Sequence, residues 1–600
     1  MMDSSEERVR VYQLLLRHFG NEKAAGLLGG TLAENGCGKF SALNTRSLGE
    51  IRALGFTHVW LTGVQEQASG TAYPGRPADP PDILKGMAGS PYAIRDYFDV
   101  CPDYAEDPER RLEEFRDCLA RCRAAGLRVI IDFVPNHVAR SYGSGVRPEL
   151  SFGAGDDPGR FFHRDNNFYY LGARHEGGGA PLKLPTQGLP GCTGFFEPER
   201  EVGRVTGNNA VTWAPGLHDW YETVKLNYGV DFTKGRDVAH LPGEEADPAE
   251  VPDTWRKMDA VLAYWQEMGV GGFRADMAHM VPMAFWRWAL RRVRAREAGC
   301  FLMAEAYDTD PMKMTDGDVF EELLEAGFDA VYDDQSYDVL KGIYEGDKWA
   351  NDLDGAARRG SRLHHALRYA ENHDEVRLAN SQHWRGIGMA VGRPVTAALL
   401  GLGRGAVMLY SGQEVGEPAE GAEGFSGDDG RSSIFDYGVL PELQKWTNGG
   451  RFDGGGLSAD QRELRAWYGR LFRLLGEPAF ARGGYYGLNY ANRENYAFGR
   501  CGTENWSGHW CLAYLRSERR ADGQQVLVVV NLHPHETMRF LRIDVPQHAR
   551  EWARLPAESR WRDRLGDGGE SVLADGALEL SDLPPCSARY YEVISESERG

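Results

Sequence analysis

Residues 254–276 read TWRKMDAVLAYWQEMGVGGFRAD. The first part carries apolar residues at helical spacing and stops at Gly269, a residue type that ends helices. VGGF then opens a short apolar run. It finishes in Arg274 and Asp276, charged groups that are costly to bury unless paired. An amphipathic helix feeding a core strand with a polar end is the unit of a parallel sheet covered by helices. The unit recurs: RLEEFRDCLARCRAAG (111–126) precedes LRVIIDFVPNH (127–137), and CFLMAEA (300–306) follows the next helical stretch. VYQLLL (11–16), HVWLT (58–62), GFDAVYD (327–333), HALRYAENHD (365–374) and AVMLYSGQE (406–414) complete eight strand candidates. Eight such units predict an α/β fold, a closed (β/α)8 TIM barrel.

Two regions break the alternation. Residues 138–230 are Gly-rich and weakly periodic, and a connection this long is expected to be an inserted subdomain. From about residue 479 the helical spacing stops. CLAYLRSERRADGQQVLVVVNLHP (511–534) reads as a hairpin around ADGQQ, and LELSDLPPCSARYYEVI (578–594) ends in alternation. These strands predict a C-terminal antiparallel β-sandwich. The expected division is barrel 1–137, inserted subdomain 138–230, barrel 231–478 and β-sandwich domain 479–600.

The formal charge of −20 over 600 residues argues against nucleic-acid backbone binding, which needs clustered cations, and is accounted for by solubility. Nine cysteines are present, none in a paired zinc spacing. Cys118 and Cys122 stand one helical turn apart, a poor disulfide geometry, so free thiols in a reducing compartment are expected. The opening MMDSSEERVRVYQLLLRHFG has acidic residues and only a short apolar run, too short for a signal core or a span, and no other stretch approaches a span. A cytoplasmic location and no membrane partner are expected. The oligomeric state is not legible.

In such barrels chemistry sits at the C-terminal strand ends. Strand three offers Asp132, Asn136 and His137; strand four, Arg274 and Asp276; strand five, Glu305; strand seven, His373 and Asp374. Converging carboxylates suit either a divalent metal or glycoside cleavage, which pairs an ionised nucleophile with a protonated acid. Arg274, on the same strand face as Asp276, lowers a neighbouring carboxyl pKa, and Asp374 would raise that of the acid by like-charge repulsion. Glycosidase chemistry accounts better for this division of labour.

DFVPNH, GFRAD, MAEA and ENHD resemble, in order and in strand placement, the four sequence regions of glycoside hydrolase family 13, the α-amylase family. VYQLLLRHF, SPYAIRDYFDV (90–100) and LYSGQEVG (409–416) add to the resemblance, which covers about residues 9–480. It implies Asp276 as nucleophile and Glu305 as general acid/base. Asp374 is implied to hold the O2 and O3 hydroxyls of the −1 sugar. Arg274 orients the nucleophile, His137 and His373 donate to the −1 sugar, Tyr92 stacks under it, and Asp132 supports Arg274 or is purely structural. Asn136 is a candidate ligand of a structural calcium or only holds the loop, and no cofactor is required for the chemistry. His279, a candidate sugar contact or a satisfied core or surface histidine, is followed by Met280 where many α-amylases have Lys-His. That puts the usual calcium site and plus-side subsites in doubt. ENGCGKF (34–40), where some glucosidases carry an Asp-rich calcium loop, reads as a Gly turn. Tyr92-Ala93 lacks the Asp that closes a glucosidase pocket, although loop 65–90 can close it differently. Phe161, Phe162, Trp213, Trp220 and Tyr221 suit either sugar stacking or the subdomain core, and WYETVKLNYG (220–229) resembles a cleft-lining segment.

The implied function is retaining hydrolysis of α-1,4 bonds in α-glucans or maltooligosaccharides. The same residues also serve a transglycosylase, an isomerase of trehalose-synthase type, or an α-glucosidase. A catalytically dead binding member would have lost one of the three carboxylates. A metal hydrolase would need ligand spacings that are not seen.

Overall fold

The computed structural model describes residues 7–594 apart from 24–25, 187–188, 236, 422–427 and 521. Eight strands form one all-parallel sheet: β1 Arg10–Leu15, β2 His58–Thr62, β3 Arg128–Phe133, β4 Gly272–Ala275, β5 Phe301–Ala304, β6 Ala330–Tyr332, β7 Ala366–Leu367 and β8 Val407–Tyr410. They pair in chain order and β8 pairs β1. Arg368, just past β7, bridges Val407: its N–H reaches Ala406 O at 2.9 Å and its carbonyl accepts from Met408 N at 2.9 Å. These contacts close the barrel, so the expected α/β barrel is the fold.

The stretch 254–276 shows how sequence builds it. Helix α1, Asp253–Met268, buries Trp255, Met258, Val261, Leu262 and Trp265, one face at helical spacing. Gly269 ends the helix at φ 103°, a left-handed conformation that glycine adopts without strain. Gly272 lies where a Cβ would come 2.6 Å from Phe301 O, so a side chain would push β4 away from β5. Strand β4 then runs Gly272 to Ala275 fully buried between β3 and β5.

The Gly-rich region after β3 is entered and left through two antiparallel strands, His137–Ala139 and Thr223–Lys225. Between them a separate apolar cluster forms around Tyr169, Leu182, Val205, Trp213 and Tyr221, with Phe161 and Phe162 packed against it. Four of the five aromatics that suited either sugar or core therefore serve the core; Trp220 is the exception.

The C-terminal strands are β9 Gly484–Gly487, β10 Cys511–Ser517, β11 Gln525–Asn531, β12 Arg542–Asp544, β13 Ser559–Asp563, β14 Glu570–Ala574, β15 Ala577–Glu579 and β16 Ser587–Val593. They are antiparallel in the continuous order β9-β10-β11-β16-β13-β14-β15-β12. The expected hairpin is β10–β11, with Ser517 opposite Gln525; Ala521 of its turn lies outside the described residues. Tyr590 and Tyr514 donate to Ala397 O at 2.8 and 3.3 Å, and Arg516 donates to Gly401 O at 3.2 Å, fastening the domain to the barrel. Among the described residues no helix is long and apolar enough to cross a membrane.

Three histidines, His18, His58 and His137, are buried, and burial pulls each down to about pKa 3. They are neutral in the folded chain, whereas the unfolded chain protonates them near pH 6.5. The stability they contribute is complete above about pH 6.5 and is lost as pH falls toward 3, by up to about 4 kcal/mol per pH unit for three protons. The thermal midpoint is expected to fall steeply between pH 6.5 and 4.5; a flat profile there would contradict this.

Candidate active site

The barrel's C-terminal rim gathers the strand-end residues. Arg274, fully buried, is the hub. Its NH1 meets Asp276 Oδ1 at 2.7 Å and Asp132 Oδ1 at 3.4 Å, its NH2 meets Glu305 Oε2 at 2.9 Å, and its Nε donates to Tyr332 OH at 3.3 Å. Its guanidinium also lies over the rings of Trp60 and Tyr92, each 5.2 Å from the centroid. Asp132 is held from below by Gly63 N at 2.8 Å and Trp60 Nε1 at 3.3 Å. It therefore acts on the site through Arg274.

Glu305 is fixed at both oxygens. Tyr307 OH donates to Oε1 at 3.1 Å and Met277 N donates to Oε2 at 2.8 Å. Met277 is left-handed at φ 44°, ψ 45°, uncommon for a residue with a side chain. That turn, directly after Asp276, aims the Met277 amide at Glu305. One guanidinium thus spans two carboxylates and the next amide pins the second. Both carboxylates therefore lie within reach of one guanidinium.

The electrostatics differ from the expectation. Arg274 was expected to dominate and hold Asp276 low. Burial instead raises the Asp276 carboxyl well above the ordinary aspartate range, outweighing the lowering by Arg274, while Glu305 and Asp132 add like-charge repulsion. Asp374, expected to be the repelling neighbour, is held on the ionised side. Burial would raise its pKa, but His373, 2.9 Å away through Nε2, together with Arg274 and Arg431, outweighs burial and lowers it.

The ring of His373 is set from behind by Gln13 Nε2, 2.8 Å from Nδ1, and Gln13 also reaches Thr62 Oγ1 at 3.0 Å. Tyr92 OH is hydrogen-bonded to His373 Nε2. His137 lies against the Trp220 ring, 5.1 Å between centroids, with Asn136 Nδ2 3.1 Å from its Nδ1. The open face is a cleft of about 310 Å³ lined by Tyr92, His137, Trp220, Asp276, Glu305 and Asp374 among others, small for a ligand pocket. Arg274 and Asp132 lie beneath these residues. His279 does not join the described lining residues: it is buried, with Nε2 2.8 Å from Asp310 Oδ2 and its ring edge-on to Tyr307. It follows the left-handed Met277 and packs against Tyr307, the residue that donates to Glu305.

Several wall residues carried no signal of their own in the sequence. Lys85, in loop 65–90, faces Glu222 across 3.2 Å, and both line the cleft with Ser90 and Phe435. Loop 65–90 therefore narrows the pocket although Ala93 stands where a closing Asp was absent. Glu222 falls within WYETVKLNYG, so that segment was legible and the individual residue was not. Gln13, Met277 and Tyr307 act through hydrogen bonds that a one-dimensional pattern does not display.

Residues near Asn136 do not fit calcium. Asn136 Oδ1 accepts from the Lys225 side-chain nitrogen, and Asn136 Nδ2 donates to Gly207 O at 2.9 Å. Lys225 Nζ also reaches Met280 O at 3.3 Å, and the His279 carbonyl accepts from Met314 N at 2.6 Å. The oxygens that a hard cation would use are taken, and the group in their midst is itself cationic when protonated. A separate acidic trio, Glu66, Asp96 and Asp99, is balanced by Arg76 and Arg95 at Glu66 and by Arg111 at Asp99.

Comparisons with known proteins agree with this geometry. Residues 33–146 match the family model "Alpha amylase, catalytic domain". The α-amylase MalA of Haloarcula japonica is 32% identical over 414 residues, 68% of this chain and 44% of that protein. The alpha-1,4-glucan:maltose-1-phosphate maltosyltransferase of Rhodospirillum rubrum is 27% identical over 231 residues, 36% of this chain and 32% of that one. The matches span less than half the length of these curated relatives. The solved α-amylase of Geobacillus thermoleovorans, complexed with acarbose, shares the fold at TM-score 0.59 and 15% identity, over 99% of this chain and 100% of that one.

Proposed function

The chain belongs to the α-amylase family, and from that premise we propose that it is a retaining α-glycoside hydrolase acting on α-glucans or maltooligosaccharides at α-1,4 bonds. The observation that carries this reading is the Arg274 fork across Asp276 and Glu305, with Met277 N pinning the latter. Glu305 protonates the glycosidic oxygen while Asp276 attacks C1 from the opposite face, and the leaving sugar departs with that proton. Water, giving its proton to Glu305, then displaces Asp276 and restores the α configuration. Asp374, His373 and His137 hold the hydroxyls of the sugar being transferred, and Tyr92 lies under its ring. Proton NMR of the first products from maltotriose is expected to show the α anomer ahead of mutarotation; the β anomer would overturn the reading.

The likeness to a maltosyltransferase favours a second reading, in which a sugar hydroxyl and not water resolves the glycosyl-enzyme. Longer oligosaccharides formed from pure maltotriose would select it. All nine cysteines are free thiols, which supports a cytoplasmic location.

Lys225 takes the part that calcium plays in other members. At pH 6, below the value of about 7 to which burial pulls its ammonium, EDTA is expected to leave activity and thermal midpoint unchanged. Lys225→Ala is expected to lose about 1–3 kcal/mol of stability by leaving Asn136 Oδ1 unpaired. A midpoint that drops with EDTA and returns with calcium would contradict this.

A further inference from the structure

A second cleft, of about 430 Å³, lies between helix α2, Ala350–Ala357, and the start of the C-terminal domain, and shares no lining residue with the catalytic cleft. Its walls are aromatic: Trp349, Trp506 and Tyr490. Trp506 is 42% and Tyr490 57% exposed, high for such large rings. Each is nevertheless fixed by a neighbour. Trp349 stacks on His509 with centroids 4.5 Å apart and planes at 13°, and Arg493 lies over Trp506 at 4.6 Å. Tyr490 OH is held by Tyr486 OH at 2.9 Å and His548 Nε2 at 2.6 Å. The rings are therefore pre-set, and little side-chain entropy remains to be lost when a ligand covers them. Between them stand short polar groups, Asn351, Asp352 and Asp354. Asn351 is itself anchored, donating to Ser507 O at 3.0 Å and accepting from Asn489 Nδ2 at 2.9 Å.

Rigid, outward-facing rings flanked by amides and carboxylates suit a pyranose chain. Its C–H faces lie on aromatic surfaces and its vicinal hydroxyls donate to carboxylate and amide oxygens. We propose that this cleft is a second carbohydrate site, which holds a segment of a long α-glucan away from the catalytic rim. The nature of the ligand rests on the α-glucan reading above.

The test uses the full chain. In an Asp276→Asn background, which binds without turnover, amylopectin in a native gel is expected to retard the protein. Adding Trp349→Ala and Trp506→Ala is expected to weaken that retardation about tenfold, the scale of one or two lost ring contacts. Trp506→Ala alone, at an exposed position, guards against misfolding, with an unchanged thermal midpoint as control. In the active chain the same substitutions should raise the half-saturating amylopectin concentration and leave kcat/KM on maltotriose unchanged. Equal retardation of the double variant, or an equal loss on maltotriose, overturns the site. Retardation that depends on the two tryptophans in a chain that cleaves no α-glucan would support the site while refuting the activity.

Discussion

Asp276→Ala is expected to lower kcat on maltotriose by roughly ten-thousand-fold or more, with substrate binding largely kept. In the proposed mechanism the carboxylate supplies the nucleophile that attacks C1, and its loss leaves Glu305 with nothing to work against. The same truncation opens a small space beside Arg274 and leaves that guanidinium with Glu305 and Asp132 as partners. Azide fits such a space and carries the missing charge. With an α-glycosyl fluoride, whose leaving group needs no acid, azide is expected to restore turnover and yield the β-glycosyl azide. The attack would come from the face that Asp276 occupied, and fluoride would leave with the bonding pair. An α-azide, or activity near wild type without azide, would show that Asp276 is not the nucleophile.

Arg274→Met is expected to be the most damaging change outside the carboxylates. It removes the one guanidinium facing Asp132, Asp276 and Glu305, all buried. Breaking a buried charge network in this way costs about 3–5 kcal/mol unless the carboxylates take up protons. Proton uptake gives the second readout. Arg274 lowers the Asp276 pKa against burial, and activity requires Asp276 ionised, so rate is lost as pH falls through that value. Without Arg274 the acidic limb of kcat/KM moves to higher pH. Arg274→Lys keeps a charge but cannot fork to two carboxylates at once, so it should hold the limb closer to wild type while kcat still falls about a hundred-fold or more. An unmoved limb in Arg274→Met would show that the guanidinium does not tune the nucleophile.

The barrel was legible because its signal is local and repeated. TWRKMDAVLAYWQEMG declares its buried face in its own spacing, Gly269 its end, and VGGFRAD its strand. The eight strands follow the eight apolar runs. Carboxylates at strand ends were equally legible, since a charge that closes a core run needs a reason. Partnerships between distant segments were not. Nothing in the sequence joins Gln13 to His373, Met277 to Glu305, or Lys225 to Asn136, because each contact exists only once the barrel has closed. The direction of the Asp276 shift failed for a related reason. Arg274 two residues away is visible in the sequence, whereas the depth of burial that outweighs it is a property of the whole fold. His279 suited either a sugar contact or a core position by its place in a motif, and its packing on Tyr307 after the left-handed Met277 was not legible.

The most direct test is covalent trapping. A 5-fluoro-α-glycosyl fluoride forms the glycosyl-enzyme readily and releases it slowly, so intact-mass spectrometry should show one added glycosyl group, and peptide mapping should place it on Asp276. Label on Glu305, or complete turnover with inversion and no labelled species, would contradict a retaining mechanism built on the Arg274-held Asp276.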